Sequence, residues 1–108
     1  MREELQARLG VSEAQIAEFC QRWQLTELAV FGSVLRDDFR PDSDIDLLVR
    51  YGPAPRRSLI DHIKLEEELT ELLGRKVDLS SKLGVENSKN WIIRKNILGS
   101  AEVIYESR

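Results

Sequence analysis

At 108 residues the chain has room for one hydrophobic core but not for a separate substrate domain, so any acceptor is expected to dock from outside. Sixteen Lys and Arg against 19 Asp and Glu leave a formal charge of −3, which gives no electrostatic drive toward a nucleic-acid backbone. One cysteine, Cys20, and one histidine, His62, argue against a disulfide framework, a Cys/His zinc site and histidine-based nucleophilic triads; carboxylates are left as the natural metal ligands. Met1-Arg2-Glu3-Glu4 is followed by no long apolar run, and the expectation is a cytoplasmic protein with no membrane segment.

In chain order, residues 1–24 read as a helical segment. Ser12 and Gln15 suit a capping box, Val11 and Ile16 a hydrophobic staple, and Ile16, Phe19, Cys20 and Trp23 recur at i, i+3, i+4, i+7, which predicts a buried stripe with Cys20 as packing. Leu28-Ala29-Val30-Phe31 is β-prone, and Gly32 and Ser33 leave its end to open a short helix near Val34 to Asp38. Asp44 to Arg50 reads as a second strand in which Asp44 and Asp46 share one face while Ile45, Leu47 and Val49 share the other. Pro53-Ala54-Pro55 makes a stiff connector. Ser58 with Asp61 caps a helix whose apolar face is Leu59, Ile60, Ile63, Leu69, Leu72 and Leu73, ending at Gly74.

A third strand, Lys76 to Leu79, repeats the acidic alternation, with Val77 and Leu79 on one face and Asp78 on the other. A helix with Trp91, Ile92, Ile93, Ile97 and Leu98 ends near Gly99, and Ala101 to Tyr105 supplies a last strand. His62 and the basic residues Arg56, Arg57, Arg75, Lys76, Arg94 and Lys95 are expected at the solvated surface.

Two carboxylates close together on one strand face repel unless a cation or proton relieves them. Oxygen ligands suit magnesium, which commonly uses one or two protein carboxylates together with substrate phosphates. Asp44 and Asp46 meet that need, next to a Gly32-Ser33 turn whose backbone N–H groups can face phosphate oxygens. Asp78, if on the neighbouring strand, completes a two-metal site with ions roughly 4 Å apart or takes the proton of an attacking hydroxyl. An EF-hand is excluded because its sixth and twelfth positions hold Leu47 and Pro53 instead of Gly and Glu. Neither a Walker phosphate loop nor a Gly-x-Gly-x-x-Gly fingerprint occurs.

Gly32-Ser33, a spacer, Asp44-Ile45-Asp46 and a distant Asp78 together resemble the signature of nucleotidyltransferases of the DNA polymerase β superfamily. The short length is similar to the minimal nucleotidyltransferase (MNT) branch, whose members serve as antitoxins to HEPN ribonucleases. The resemblance covers roughly Thr26 to Glu106, including Ser-Asp-Ile-Asp-Leu-Leu-Val and the closing Ile92-Ile93 to Ile104-Tyr105. It implies an α+β fold: a polymerase β-like core over residues 26–106, with a small mixed sheet packed with helices, preceded by the N-terminal helices of 1–24. It also implies AMP transfer from ATP, with Mg2+, to a tyrosine of a HEPN toxin held in a hetero-oligomer. Gly32, Ser33 and Arg36 would bind nucleotide, and Asp44, Asp46 and Asp78 would carry metal and catalysis.

The chain departs from its relatives in having Arg36-Asp37-Asp38 where Arg-Gly is frequent. The added charge weakens triphosphate binding if it points inward, and the preferred expectation is that both aspartates face water. Arg36 suits either a phosphate or a surface salt bridge. The competing functions are an antitoxin that neutralises by binding alone and a small-molecule nucleotidyltransferase of the aminoglycoside type.

Overall fold

The computed structural model describes residues 1–53 and 58–107. Two short helices come first, α1 (Glu3–Leu9) and α2 (Glu13–Arg22), the second opened by the Ser12/Gln15 capping box with bonds of 3.1 and 2.8 Å. Strand β1 (Leu25–Phe31) runs into a 3-10 turn, Gly32–Leu35, and a loop leads to β2 (Ile45–Tyr51). Helix α3 (Leu59–Leu73), capped by Ser58 and Asp61, returns the chain to β3 (Val77–Ser81). Then come α4 (Lys82–Glu86), α5 (Trp91–Ser100) and β4 (Glu102–Glu106). No described helix is long and apolar enough to cross a membrane.

The sheet order is β3-β2-β1-β4. β1 is antiparallel to both of its neighbours, whereas β2 and β3 are parallel and joined through α3, the crossover that a parallel pair requires. Strand alternation divides the two faces. Leu28, Val30, Ile45, Leu47, Val49, Val77 and Leu79 share one core with Leu5, Leu9, Ile16, Phe19, Leu65 and Leu69 of the helices. On β2 the opposite face carries Asp46, Leu48 and Arg50. Leu48 is buried, and Arg50 Nη2 donates to both oxygens of Glu86 at 2.7 and 2.8 Å. With the Lys82–Glu27 ion pair, this ties α4 across that face.

α3 does more than cover the core. β3 is an edge strand whose outward backbone groups would otherwise offer a template for another chain. A polar stripe on the helix at i, i+4, i+8 meets them: His62 Nε2 bonds Leu79 O at 2.9 Å, Glu66 Oε2 accepts from Leu79 N at 2.9 Å, and Thr70 Oγ1 accepts from Val77 N at 3.3 Å. A carbonyl only accepts, so His62 Nε2 carries the hydrogen and Nδ1 accepts from Tyr51 Oη at 2.8 Å. His62 is therefore a half-buried structural bridge instead of an exposed residue.

Other expectations also need correction. The α3 residues buried in the core are Leu65, Leu69 and Leu73, with Leu72 packed half-buried against it, while Leu59, Ile60 and Ile63 are exposed. At roughly 100° per residue, Ile60 and Ile63 fall on the side of the helix away from Leu65. Trp91, Ile92 and Ile93 of α5 are exposed as well, and α5 buries no residue fully. The segment expected as a helix near Val34 to Asp38 is the shorter 3-10 turn. β1 begins three residues before Leu28, and Asp44 lies one residue outside β2. Trp23 caps α2 half-exposed, donating from its indole to Glu68. Of the Pro53-Ala54-Pro55 connector, Ala54 and Pro55 lie outside the described residues, as do Arg56 and Arg57.

The two sets of α3 residues separate in a stability measurement. Leu65→Ala should cost about 2–5 kcal/mol in denaturant unfolding, whereas Ile60→Ser should stay within about 0.5 kcal/mol of the parent.

Candidate active site

The antiparallel register of β1 and β2 sets Phe31 opposite Asp46, and the parallel register of β2 and β3 sets Asp46 beside Asp78. The end of β1, the start of β2 and the start of β3 therefore meet at one edge of the sheet. At that edge Gly32 turns the chain with φ +75°, in the left-handed region where a side chain is strained. A Cβ on Gly32 would also strike Asp46 Oδ2. The glycine is thus favoured by its backbone angle, and the Asp46 carboxylate lying against it would have to move to admit a side chain. Ser33 follows in the 3-10 turn, half-exposed, its carbonyl accepting from Arg36 N at 2.9 Å.

Asp46 is half-buried between two exposed acids, Asp44 and Asp78. Its carboxyl is held above the usual range, first because burial penalises the charge, then because Asp78 and Asp44 repel it; Arg36 opposes these effects. A carboxyl whose folded pKa is raised contributes stability at low pH and loses it as pH rises through the folded value. Ionising Asp46 therefore weakens the fold that carries it.

Arg36 is exposed and pairs with Asp38, Nε to Oδ1 at 3.2 Å, while Asp37 is exposed too. The acidic departure from the family pattern therefore lies at the surface, with Asp38 paired to Arg36. Arg36 also lines a cavity of about 450 Å³ with Phe31, Gly32 and Leu35 on one side and Asn96, Ile97 and Ser100 of α5 on the other. The volume is in the range that holds a small-molecule ligand. Sequence reasoning missed the α5 contribution. The available signal was Asn96 and Ser100 at i, i+4 on α5, where Ser100 Oγ donates to Asn96 O at 2.6 Å.

Asp44, Asp46 and Asp78 are brought to one edge but not drawn into a closed cage. Among the described residues no three acidic, histidine or cysteine side chains form a ready-made metal cluster. The donor set is what magnesium uses when substrate phosphates supply further ligands.

At this end of the mixed sheet the glycine turn lies against a strand aspartate and borders an open cavity. Residues 13–104 match the nucleotidyltransferase domain family, and the chain belongs to that family. The match begins within α2, well ahead of Thr26, so the second helix is part of the family unit.

Within the family the chain is similar to MntA, a protein adenylyltransferase of Thermococcus cleftensis: 37% identical over 103 residues, 95% of this chain and 93% of that one. It is also 36% identical to a solved protein assigned as a minimal nucleotidyltransferase, with TM-score 0.66 over 93% of this chain and 92% of that chain. A more distant complex of a tri-AMPylated HEPN toxin with its MNT antitoxin, from Shewanella oneidensis, shares the fold. There the identity is 19% and the TM-score 0.61, over 95% of this chain and 73% of that chain. The protein is a nucleotidyltransferase with a mixed four-stranded sheet packed with helices.

Two substitutions read the site's internal strain. Gly32→Ala should cost on the order of 1–2 kcal/mol for the backbone angle alone, lowering Tm by roughly 5–10 °C. Asp46→Asn should do the opposite at neutral pH in chelator-treated buffer, raising Tm above that of the parent by removing a repelled charge; an unchanged or lower Tm would show that the carboxylate is not strained.

Proposed function

We propose that this chain transfers AMP from ATP to a tyrosine hydroxyl of a HEPN-type ribonuclease toxin and thereby silences it, in the cytoplasm, where ATP is available. The observation that carries the proposal is the pairing of Asp46 with Asp78 on adjacent strands, with Asp46 lying against Gly32, which lines the cavity. The similarity to a protein adenylyltransferase along almost the full length of both chains supports it.

In this reading Gly32 lets the backbone approach the triphosphate, Ser33 and Arg36 bond phosphate oxygens, and the cavity between the turn and α5 receives the nucleoside. Asp44 and Asp46, with Asp78, would hold two magnesium ions, which would neutralise charge on the triphosphate. Asp78 would also accept the proton of the attacking hydroxyl. The tyrosine oxygen forms a bond to the α-phosphorus, the bond to the bridging oxygen breaks, and pyrophosphate leaves. Positioning and electrostatics supply the acceleration. The helical segment 1–24 and the core 26–106 act as one unit.

A binding-only antitoxin is favoured by one observation, the exposure of Trp91, Ile92 and Ile93 on α5, apolar area that a partner protein could cover. The two readings differ in their need for chemistry. With ATP labelled at the α-phosphate, magnesium and the HEPN-type protein from the adjacent reading frame, the toxin should become labelled, and Asp44→Asn should reduce the rate by about 100-fold or more. Equal protection of cells by Asp44→Asn, with no label on the toxin, would leave binding as the mode of action.

A further inference from the structure

The loop between the Gly-Ser turn and Asp44 contains neither helix nor strand after Leu35, yet it is held at both shoulders by arginines from distant parts of the chain. It consists of two consecutive turns: Phe39 N donates to Arg36 O at 3.4 Å, and Ser43 N donates to Arg40 O at 3.0 Å with Ser43 Oγ accepting from Arg40 N at 3.0 Å. The opening carbonyl of each turn takes a second hydrogen bond from a guanidinium. Arg8, on α1, reaches Arg36 O at 2.6 Å and Val34 O at 2.8 Å. Arg75, in the turn between α3 and β3, reaches Arg40 O at 2.9 Å and Ser43 O at 3.4 Å.

The same two guanidiniums also lie over the ring of Phe39, which sits at the junction of the two turns. Their centres are 5.5 Å (Arg8) and 4.6 Å (Arg75) from the ring centroid. Phe39 itself packs against the hydrophobic core. Arg75 is thus a structural tie, not the solvated surface residue its sequence context suggested.

The geometry points to Arg8, Phe39 and Arg75 as a strap that fixes the loop from Val34 to Ser43 before nucleotide binds, making these three positioning residues for the nucleotide site. The loop joins the two halves of that site: Gly32 and Ser33 precede it, and Asp44 and Asp46 follow it. A free loop of this length would have to be ordered on binding, which lowers affinity by the entropy lost. Planar guanidinium forks suit the task because one arginine can bond carbonyls and stack on a ring at the same time, which a lysine does less well. None of the three residues needs to touch substrate.

This inference rests on the nucleotide reading given above, and the experiment separates the two. Amide hydrogen exchange in the full-length, ligand-free chain reads the strap directly, at Arg36, Arg40 and Ser43, with β1 amides as the control for global stability. Titration with ATP and magnesium reads its consequence. Phe39→Leu and Arg75→Met should each speed exchange at those three amides, leave β1 unchanged and weaken ATP by about tenfold or more. Phe39→Tyr, which keeps the ring, should restore both. Unchanged loop exchange in Phe39→Leu, or faster exchange with unaltered ATP affinity, would overturn the strap while leaving the nucleotide reading intact. A parent chain that takes up no ATP would overturn the nucleotide reading and the positioning role with it.

Discussion

The contact of Gly32 with Asp46 is the constraint around which the molecule is arranged. It exists because β1 and β2 pair in a register that sets Phe31 opposite Asp46, so the residue leaving β1 arrives on top of that carboxylate. A shift of that pairing by one residue would move Asp46 to the core face and Leu47 to the site. The register is held by burial: Leu28, Val30, Ile45, Leu47 and Val49 are all almost completely excluded from water. The chemistry at the edge thus depends on apolar packing one face away, and no side chain on Gly32 could be accommodated without giving up the carboxylate's place.

Crowding acidic groups at one sheet edge is unfavourable for folding, and the rest of the chain offsets it elsewhere. Asp46 is repelled by two neighbours and partly removed from water. Against this stand the helix caps at Ser12 and Ser58, the shared core, and the pairing of α4 to the sheet through Lys82–Glu27 and Arg50–Glu86. The structure therefore keeps the strain local and supports it with rigid elements.

The two long-range roles of α3 show how one helix serves both faces of this problem. Its apolar stripe closes the core, and its adjoining polar stripe, His62, Glu66 and Thr70, bonds Val77 N and both backbone groups of Leu79 on the outward side of β3. Without that cover, the strand bearing Asp78 would be an open edge. The turn that ends α3 then supplies Arg75 to the loop ahead of Asp44, so the crossover linking the two acidic strands also steadies the segment leading into them.

Much of the site was legible in the sequence because it depends on local periodicity. Alternation in Ile45-Asp46-Leu47 and Val77-Asp78-Leu79 told which face each acid takes, the capping residues told where helices begin, and Gly32 after an apolar strand told where the chain must turn. What could not be read there is everything that depends on which element lies beside which. His62 looked polar and solvated, yet it bridges Tyr51 and Leu79; Ile60 and Ile63 looked like core, yet face water; and Asn96, Ile97 and Ser100 line a cavity with Phe31, Gly32, Leu35 and Arg36, far earlier in the chain. The sequence by itself determined most of the strands and helices, the face of each acidic strand that carries its aspartate, and the family. Only the tertiary structure decided which face of each helix is buried, how Arg8, Phe39 and Arg75 hold the loop, and that Asp46 and Asp78 are neighbours, because strand order and helix docking are set by contacts between residues far apart in the chain, which no local pattern encodes.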